Sequence, residues 1–224
     1  MMPEKLYKYL PSQYVDNVLN KGDLLFRNLT FFRQYKDEQQ GDPLEGHHRD
    51  NPDEGVVLTN LTTGKKTEGD FSFLNSTNSD LIFVFCMSKT YNENLYKEFK
   101  SDACITITDV EKFLLRTRVK IKHLLSCHRS GLLHDPVTYY AANKRAEFNI
   151  KDPKVLPFAK DETFLRQDEY RLVFGKKKAF KLVQRIVMNG AYDFREDAKK
   201  GTAAKKIISI GDISDIAHVQ YLAT

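Results

Sequence analysis

The chain is expected to fold as an α+β domain with mixed, largely antiparallel strands and flanking helices. Strand-like and helix-like segments follow one another in no regular βαβ order, the connections are long, and no internal repeat is present. A length of 224 residues, with 41% apolar and 29% charged residues, suits one domain, 1–224, and 15 Phe with 11 Tyr can fill a sizeable core.

Leu6 to Leu10 reads as a short strand stopped by Pro11. Ser12 is placed to cap a helix through about Asn20, with Val15, Val18 and Leu19 on one face and Gly22 ending it. Leu24 to Arg27 starts a second strand, followed by the aromatic segment Thr30 to Tyr35. Residues 36–79 form a polar insertion with turn signals at Gly41-Asp42-Pro43, Asn51-Pro52 and Thr63-Gly64, and a hairpin is expected around Val56-Val57-Leu58. So long a polar stretch in a compact domain is usually functional or mobile.

Leu81 to Met87 (LIFVFCM) is apolar on both faces, as a central strand requires. Asn92 to Lys100 suits a short helix and Ala103 to Thr108 a strand. Thr108-Asp109-Val110-Glu111 is a capping box for a helix to about Cys127. A turn at His134-Asp135-Pro136 leads into Val137 to Tyr140, Arg166 to Phe174 forms a strand, Phe180 to Met188 another element, and His218 to Leu222 closes the sheet.

No apolar run approaches the roughly 18–20 residues needed to cross a bilayer, and the first residues lack the apolar core of a signal peptide. Cys86, Cys104 and Cys127 make neither a disulfide framework nor a zinc pattern, which points to a reducing cytoplasm and no membrane partner. The net charge of +5 is uneven: residues 1–110 carry 12 Lys and Arg against 17 Asp and Glu, residues 111–224 carry 23 against 13. A basic half attracts phosphates, so nucleic acid is the partner to consider.

His47-His48 lies among Asp42, Glu45, Asp50 and Asp53, but the spacing matches no tetrahedral or EF-hand pattern, and no metal is expected. Cys86, in an apolar strand, is expected to be buried and inert. There is no GxGxxG and no P-loop. The informative segment is Phe164 to Phe174. Read as a strand, it turns Tyr170, Leu172 and Phe174 to the core and Gln167, Glu169 and Arg171 to the other face. A Gln-x-Glu pair there sets an amide beside a carboxylate. Such a pair can grip ribose hydroxyls and stabilise an oxocarbenium-like centre.

Arg166-Gln167-Asp168-Glu169-Tyr170-Arg171-Leu172-Val173 resembles the Lys-Gln-x-Glu-Phe-Leu-Val strand of DarT-type ADP-ribosyltransferase toxins. Leu6 to Leu10 with Gly22-Asp23-Leu24-Leu25 resembles that family's opening, and Phe83 to Ser88 with Asn94-Leu95-Tyr96 its central segment. The layout also resembles a broad family of bacterial and phage proteins with an Asp-Pro-x-Glu-Gly motif (Asp42 to Gly46) and a late Glu-Tyr-Arg strand. The resemblance implies an ADP-ribosyltransferase-like split sheet and an NAD-dependent mono-ADP-ribosyltransferase that modifies RNA or single-stranded DNA, with NAD as substrate and an antitoxin or other regulatory partner. Glu169 becomes the catalytic carboxylate and Gln167 its companion. Arg33 is the candidate arginine, with Arg27 and Arg49 as rivals, and Tyr7, Tyr9, Ser88, Tyr96 and Arg27 are the candidate cofactor-binding residues. Lys8 and Leu10 stand where that family's first strand carries histidine and threonine, so the nicotinamide clamp must be built differently, from Tyr7 or Tyr9. Without an acceptor the same site is an NAD glycohydrolase, and a protein side chain is an alternative acceptor. The rival from another class is a non-catalytic nucleic-acid-binding module. It would use Arg116, Arg118, Lys120, Lys122 and Lys176 to Lys178 on phosphates and Tyr139 and Tyr140 on bases.

Overall fold

The first strand, Leu6–Leu10 (β1), turns Leu6 and Leu10 into the main core and sets Tyr7 and Tyr9 on the opposite face. The computed structural model describes residues 2–35, 41–52, 55–141, 144, 147–188 and 194–222. After Pro11 the chain makes a 3-10 turn, Ser12–Tyr14, and the short helix Val15–Leu19 (α1). Ser12 does not cap it. Its N–H and hydroxyl are both donated to the Asp102 carboxylate, which ties α1 to a distant strand end. Gly22, at φ +64, turns the chain where a Cβ would meet the carbonyl oxygen of Gly211 at 2.1 Å.

Asp23–Asn28 (β2) runs into Leu29–Gln34 (α2), capped by Asn28, whose side chain accepts from the N–H of Phe31. The polar insertion is rich in strands: His47–Asp50 (β3), the expected hairpin Val56–Thr59 (β4) and Lys66–Gly69 (β5), and Phe71–Ser76 (β6). Ile82–Ser88 (β7) is the buried central strand, followed by Asn94–Glu98 (α3) and Ala103–Ile107 (β8). Val110–Lys122 (α4) is capped by Asp109 rather than Thr108, because the Thr108 hydroxyl is donated to the Ile216 carbonyl. It ends at Lys122, short of Cys127, in a tight turn where the His123 N–H bonds Lys120.

His134-Asp135-Pro136, expected as a turn, instead ends the long strand Cys127–Pro136 (β9), paired with Tyr170 to Leu172. Proline is tolerated at such a strand end. Thr138–Tyr140 (β10) and Ala159–Asp161 (β11) form a small parallel pair. The strand expected from Arg166 starts later. Asp161 caps a 3-10 turn at Glu162–Gln167, Asp168 adopts the left-handed conformation (φ 43), and the strand Glu169–Lys176 (β12) follows. Val183–Met188 (β13), Phe194–Ala198 (α5), Lys205–Ser209 (β14) and Ala217–Tyr221 (β15) complete the chain.

The result is mixed α and β with mostly antiparallel sheets, compatible with the expected α+β class. The main sheet has the order β14-β2-β7-β1-β8-β15, with β12 also on β7 and β9 beyond it. Along one side β7 pairs with β12 from Glu169↔Ser88 to Gly175↔Ile82. Its other side is divided: β2 takes Phe83 and Val84, β1 takes Ser88, and the sheet splits between them. One face packs Phe83, Phe85, Met87, Leu172 and Phe174 against α4, and the other packs Ile82, Val84 and Val173 against Leu29 and Phe158. Among the described residues no helix is long and apolar enough to cross a membrane.

Candidate active site

Strand alternation assembles the site. Pairing of Ser88 with Glu169, Cys86 with Arg171 and Val84 with both Val173 and Arg27 puts these side chains on one face, with Tyr7 opposite Ser88 on the other flank. A cleft of about 700 Å³ opens over this face and over the split, and Tyr7, Tyr9, Arg27, Ser88, Gln167 and Glu169 all line it.

Glu169 is buried and every polar atom it has is engaged. Its N–H is donated to the Tyr139 hydroxyl (2.9 Å), and its carbonyl accepts from Val137 (2.9 Å). Its carboxylate accepts from Lys160 Nζ on one oxygen (2.5 Å) and from Arg171 Nε on the other (2.7 Å). Burial alone would raise the carboxyl. The charges and hydrogen bonds of Arg171 and Lys160 outweigh it and hold the group well below the usual carboxylate range. A carboxylate has about four lone-pair positions, so further donors on the cleft side remain compatible with this grip.

Gln167 does not share a strand with Glu169, since it comes off the preceding 3-10 turn. The left-handed Asp168 re-aims the chain so that Gln167 still lines the cleft, and Lys89 pairs with the Asp168 carboxylate at 2.8 Å. The Gln167 amide oxygen accepts from Lys160 (2.9 Å), and its nitrogen donates to Glu98 (2.5 Å), which also accepts from Arg166. The polar face of β12 is thus a buried network rather than a solvated edge.

Arg33 is not brought to the cleft. It is drawn to α5, donating to the Asp197 carbonyl (2.6 Å) with the Asp197 carboxylate at 3.6 Å. Its rival Arg27 lines the cleft, with the guanidinium 3.9 Å from the Phe31 ring centre, while Arg49 lies in β3 of the separate sheet β13-β6-β3. Tyr96 is buried behind Tyr9, edge-on at 5.1 Å, and supports that ring from outside the cleft. Cys86 is half-buried on the cleft wall, and burial pushes its thiol up to about 12.

Three further residues, none of them a candidate site residue from the sequence, contribute to the site. Lys160 comes from a linker with no pattern around it. Lys8 bridges the split: its ammonium donates to the Cys86 carbonyl (2.8 Å) and lies 4.6 Å from the Phe85 ring centre, and burial lowers its pKa. Glu45, inside the Asp42 to Gly46 motif, grips Arg171 with both oxygens (2.5 and 3.1 Å). The basic residues of α4 are partly engaged. Lys112 and Arg116 bind Asp215, and Arg118 contacts His134 at 3.2 Å. Tyr140 is buried against His48, and Tyr139 holds Glu169, so neither is a free platform for a base. Compared with family models, with curated proteins and with solved structures, the chain finds no match in any of the three.

Proposed function

We propose that this cleft is the active site of an NAD-dependent mono-ADP-ribosyltransferase, DarT-like in its late Gln-x-Glu segment and ADP-ribosyltransferase-like in its split sheet. The observation that carries the reading is the anionic Glu169, buried and fixed from both sides yet on the wall of an open cleft with Tyr7 and Ser88 beside it. Arg27 stands about 13 Å further along β7, by the rise of four strand residues, next to the aromatic wall of Phe31 and Tyr35. Two ring-lined ends with a cationic stretch between them fit a dinucleotide. Arginine suits its pyrophosphate because the planar fork bonds two oxygens at once.

The C1′–nitrogen bond of NAD breaks with its electron pair leaving on nicotinamide, and a cation-like ribosyl centre forms. Glu169 accepts a ribose hydroxyl and stabilises the positive charge. The acceptor nucleophile then bonds C1′ and loses its proton to solvent or to the carboxylate. Tyr7 supplies a face for the nicotinamide ring, and Gln167 orients the ribose edge. Beyond the buried Lys160–Glu169–Arg171–Glu45 network, the cleft is lined by four cationic side chains, Lys8, Arg27, Lys100 and Lys205, against one carboxylate, Asp23, which favours a polyanionic acceptor. RNA or single-stranded DNA is preferred over protein, and a restraining antitoxin follows from the same reading.

The test offers NAD labelled in its adenylate part to RNA, single-stranded DNA, duplex DNA and a protein extract. Label entering one nucleic-acid class, and absent with Glu169→Gln, is the expected result. Nicotinamide release without labelled acceptor makes the protein a glycohydrolase. Intact NAD in every tube, with no NAD binding, removes the enzyme reading.

A further inference from the structure

Lys160 is buried, 4% accessible, yet it reaches the cleft wall. Its ammonium lies between the Gln167 amide oxygen and the Glu169 carboxylate and 4.3 Å from the Phe164 ring centre. Burying an ammonium is costly unless its donors are matched, and here two acceptors and an aromatic face receive it. The backbone fixes its place as well. Lys160 pairs with Tyr139 across the small parallel sheet, and the Tyr139 hydroxyl accepts the N–H of Glu169. One two-stranded element therefore holds Glu169 by backbone and side chain together.

We propose that Lys160 is a positioning residue of this site, its single ammonium locking Gln167 and Glu169 into one arrangement for transfer. The inference rests on reading Glu169 as the transferase carboxylate. A compact ammonium with rotatable donors can serve two acceptors from one point, whereas a planar guanidinium offers a fixed fork. A purely structural lysine would contribute stability and leave the chemistry of Glu169 alone. The groups that face Glu169 are Arg171 from its own strand, with Glu45 behind it, Lys160 from β11, Lys8 from β1, Cys86 from β7 and the Tyr139 hydroxyl from β10. Without Lys160, Arg171 is shared between Glu45 and Glu169 and becomes the one cation hydrogen-bonded to Glu169.

The experiment measures kcat and KM for nicotinamide release at about pH 7.5 for wild type, Lys160→Met and Lys160→Arg. For Lys160→Met, kcat is expected to fall about 30-fold or more with KM for NAD within about threefold. Lys160→Arg keeps the charge but not the two-way contact, so it partly rescues the reaction, with kcat about fivefold below wild type. A Lys160→Met kcat equal to that of wild type overturns the proposal. If that variant does not fold, an undiminished kcat in Lys160→Arg overturns it instead. Should wild type release no nicotinamide, the reading of the site fails first. A ¹³C titration of the Glu169 carboxyl then tests the lysine's hold directly: a higher onset in Lys160→Gln than in wild type supports it, and an unchanged onset defeats it.

Discussion

Arg171 is held by both carboxylate oxygens of Glu45, a residue 126 positions earlier in the chain. The same guanidinium donates to the Pro157 carbonyl at 2.7 Å and to Glu169 at 2.7 Å, so four hydrogen bonds leave it in four fixed directions. The turn Asp42 to Gly46 thereby braces the site wall from behind, through Arg171. Gly46 (φ +74) makes the turn, where a Cβ would meet the Leu29 side chain at 2.6 Å, and the Thr77 hydroxyl and N–H bond its carbonyl.

Glu45→Ala strips one carboxylate from this pair and leaves Arg171 under-compensated in the interior. The expected loss is about 3–5 kcal/mol of stability, read as a lower denaturant midpoint. Glu45→Ala with Arg171→Met is expected to be less destabilised than the sum of the two single changes, because the orphaned charge is gone. Strict additivity would contradict the coupling.

Asp42 is pushed up to about 7, first by burial and then by the neighbouring Glu45 charge, against the pull of Lys160 and Arg171. A carboxyl raised in the folded state binds its proton there but not in the unfolded chain, so its contribution is largest below its unfolded value. It is lost as pH rises toward 7, at on the order of 1 kcal/mol per pH unit. His47, which burial holds down to about 4, has the opposite slope between its folded and unfolded values and is common to both proteins compared. Asp42→Asn should therefore gain stability relative to wild type between pH 5 and pH 8. A constant difference in melting temperature across that range refutes the assignment.

Arg27 is half-exposed on the cleft and stacked on Phe31, so its removal disturbs little of the core. Arg27→Met is expected to raise KM for NAD about tenfold or more, as loss of a charged hydrogen-bonding partner does, with the melting temperature nearly unchanged. Arg33→Met is the contrast. It loses its contact to Asp197 and should lower stability while leaving KM for NAD in place.

Gly22→Ala forces a side chain into a left-handed residue and onto the Gly211 carbonyl, where Ile210 also bonds back to Gly22. A destabilisation of about 2 kcal/mol or more is expected by thermal unfolding. A neutral substitution would mean that the turn between α1 and β2 is free to shift.

Much of the sheet was legible because its strands carry their own signal. Ile82–Ser88 is apolar on both faces, and Leu6–Leu10 is bounded by Pro11. Helix ends were read less well, because Ser12 and Thr108 give their hydroxyls to distant partners rather than to the next turn. The start of β12 lies at Glu169 rather than Arg166, because a left-handed Asp168 leaves no mark in composition. Glu169, Gln167, Arg27, Tyr7, Tyr9 and Ser88 were named from short motifs, and the structure gathers them in one cleft. Lys160 and Glu45 were not named for the site, because ion pairs between residues far apart in sequence have no local pattern.

The decisive measurement is the rate of nicotinamide release by wild type and by Glu169→Gln, at a temperature where circular dichroism finds both folded. A measurable wild-type rate is expected, with a loss of about 100-fold or more in the variant, the scale of removing a preorganised charge stabiliser. Equal rates in the two proteins, or no release by wild type with any nucleic acid present, would remove Glu169 from the role of transferase carboxylate.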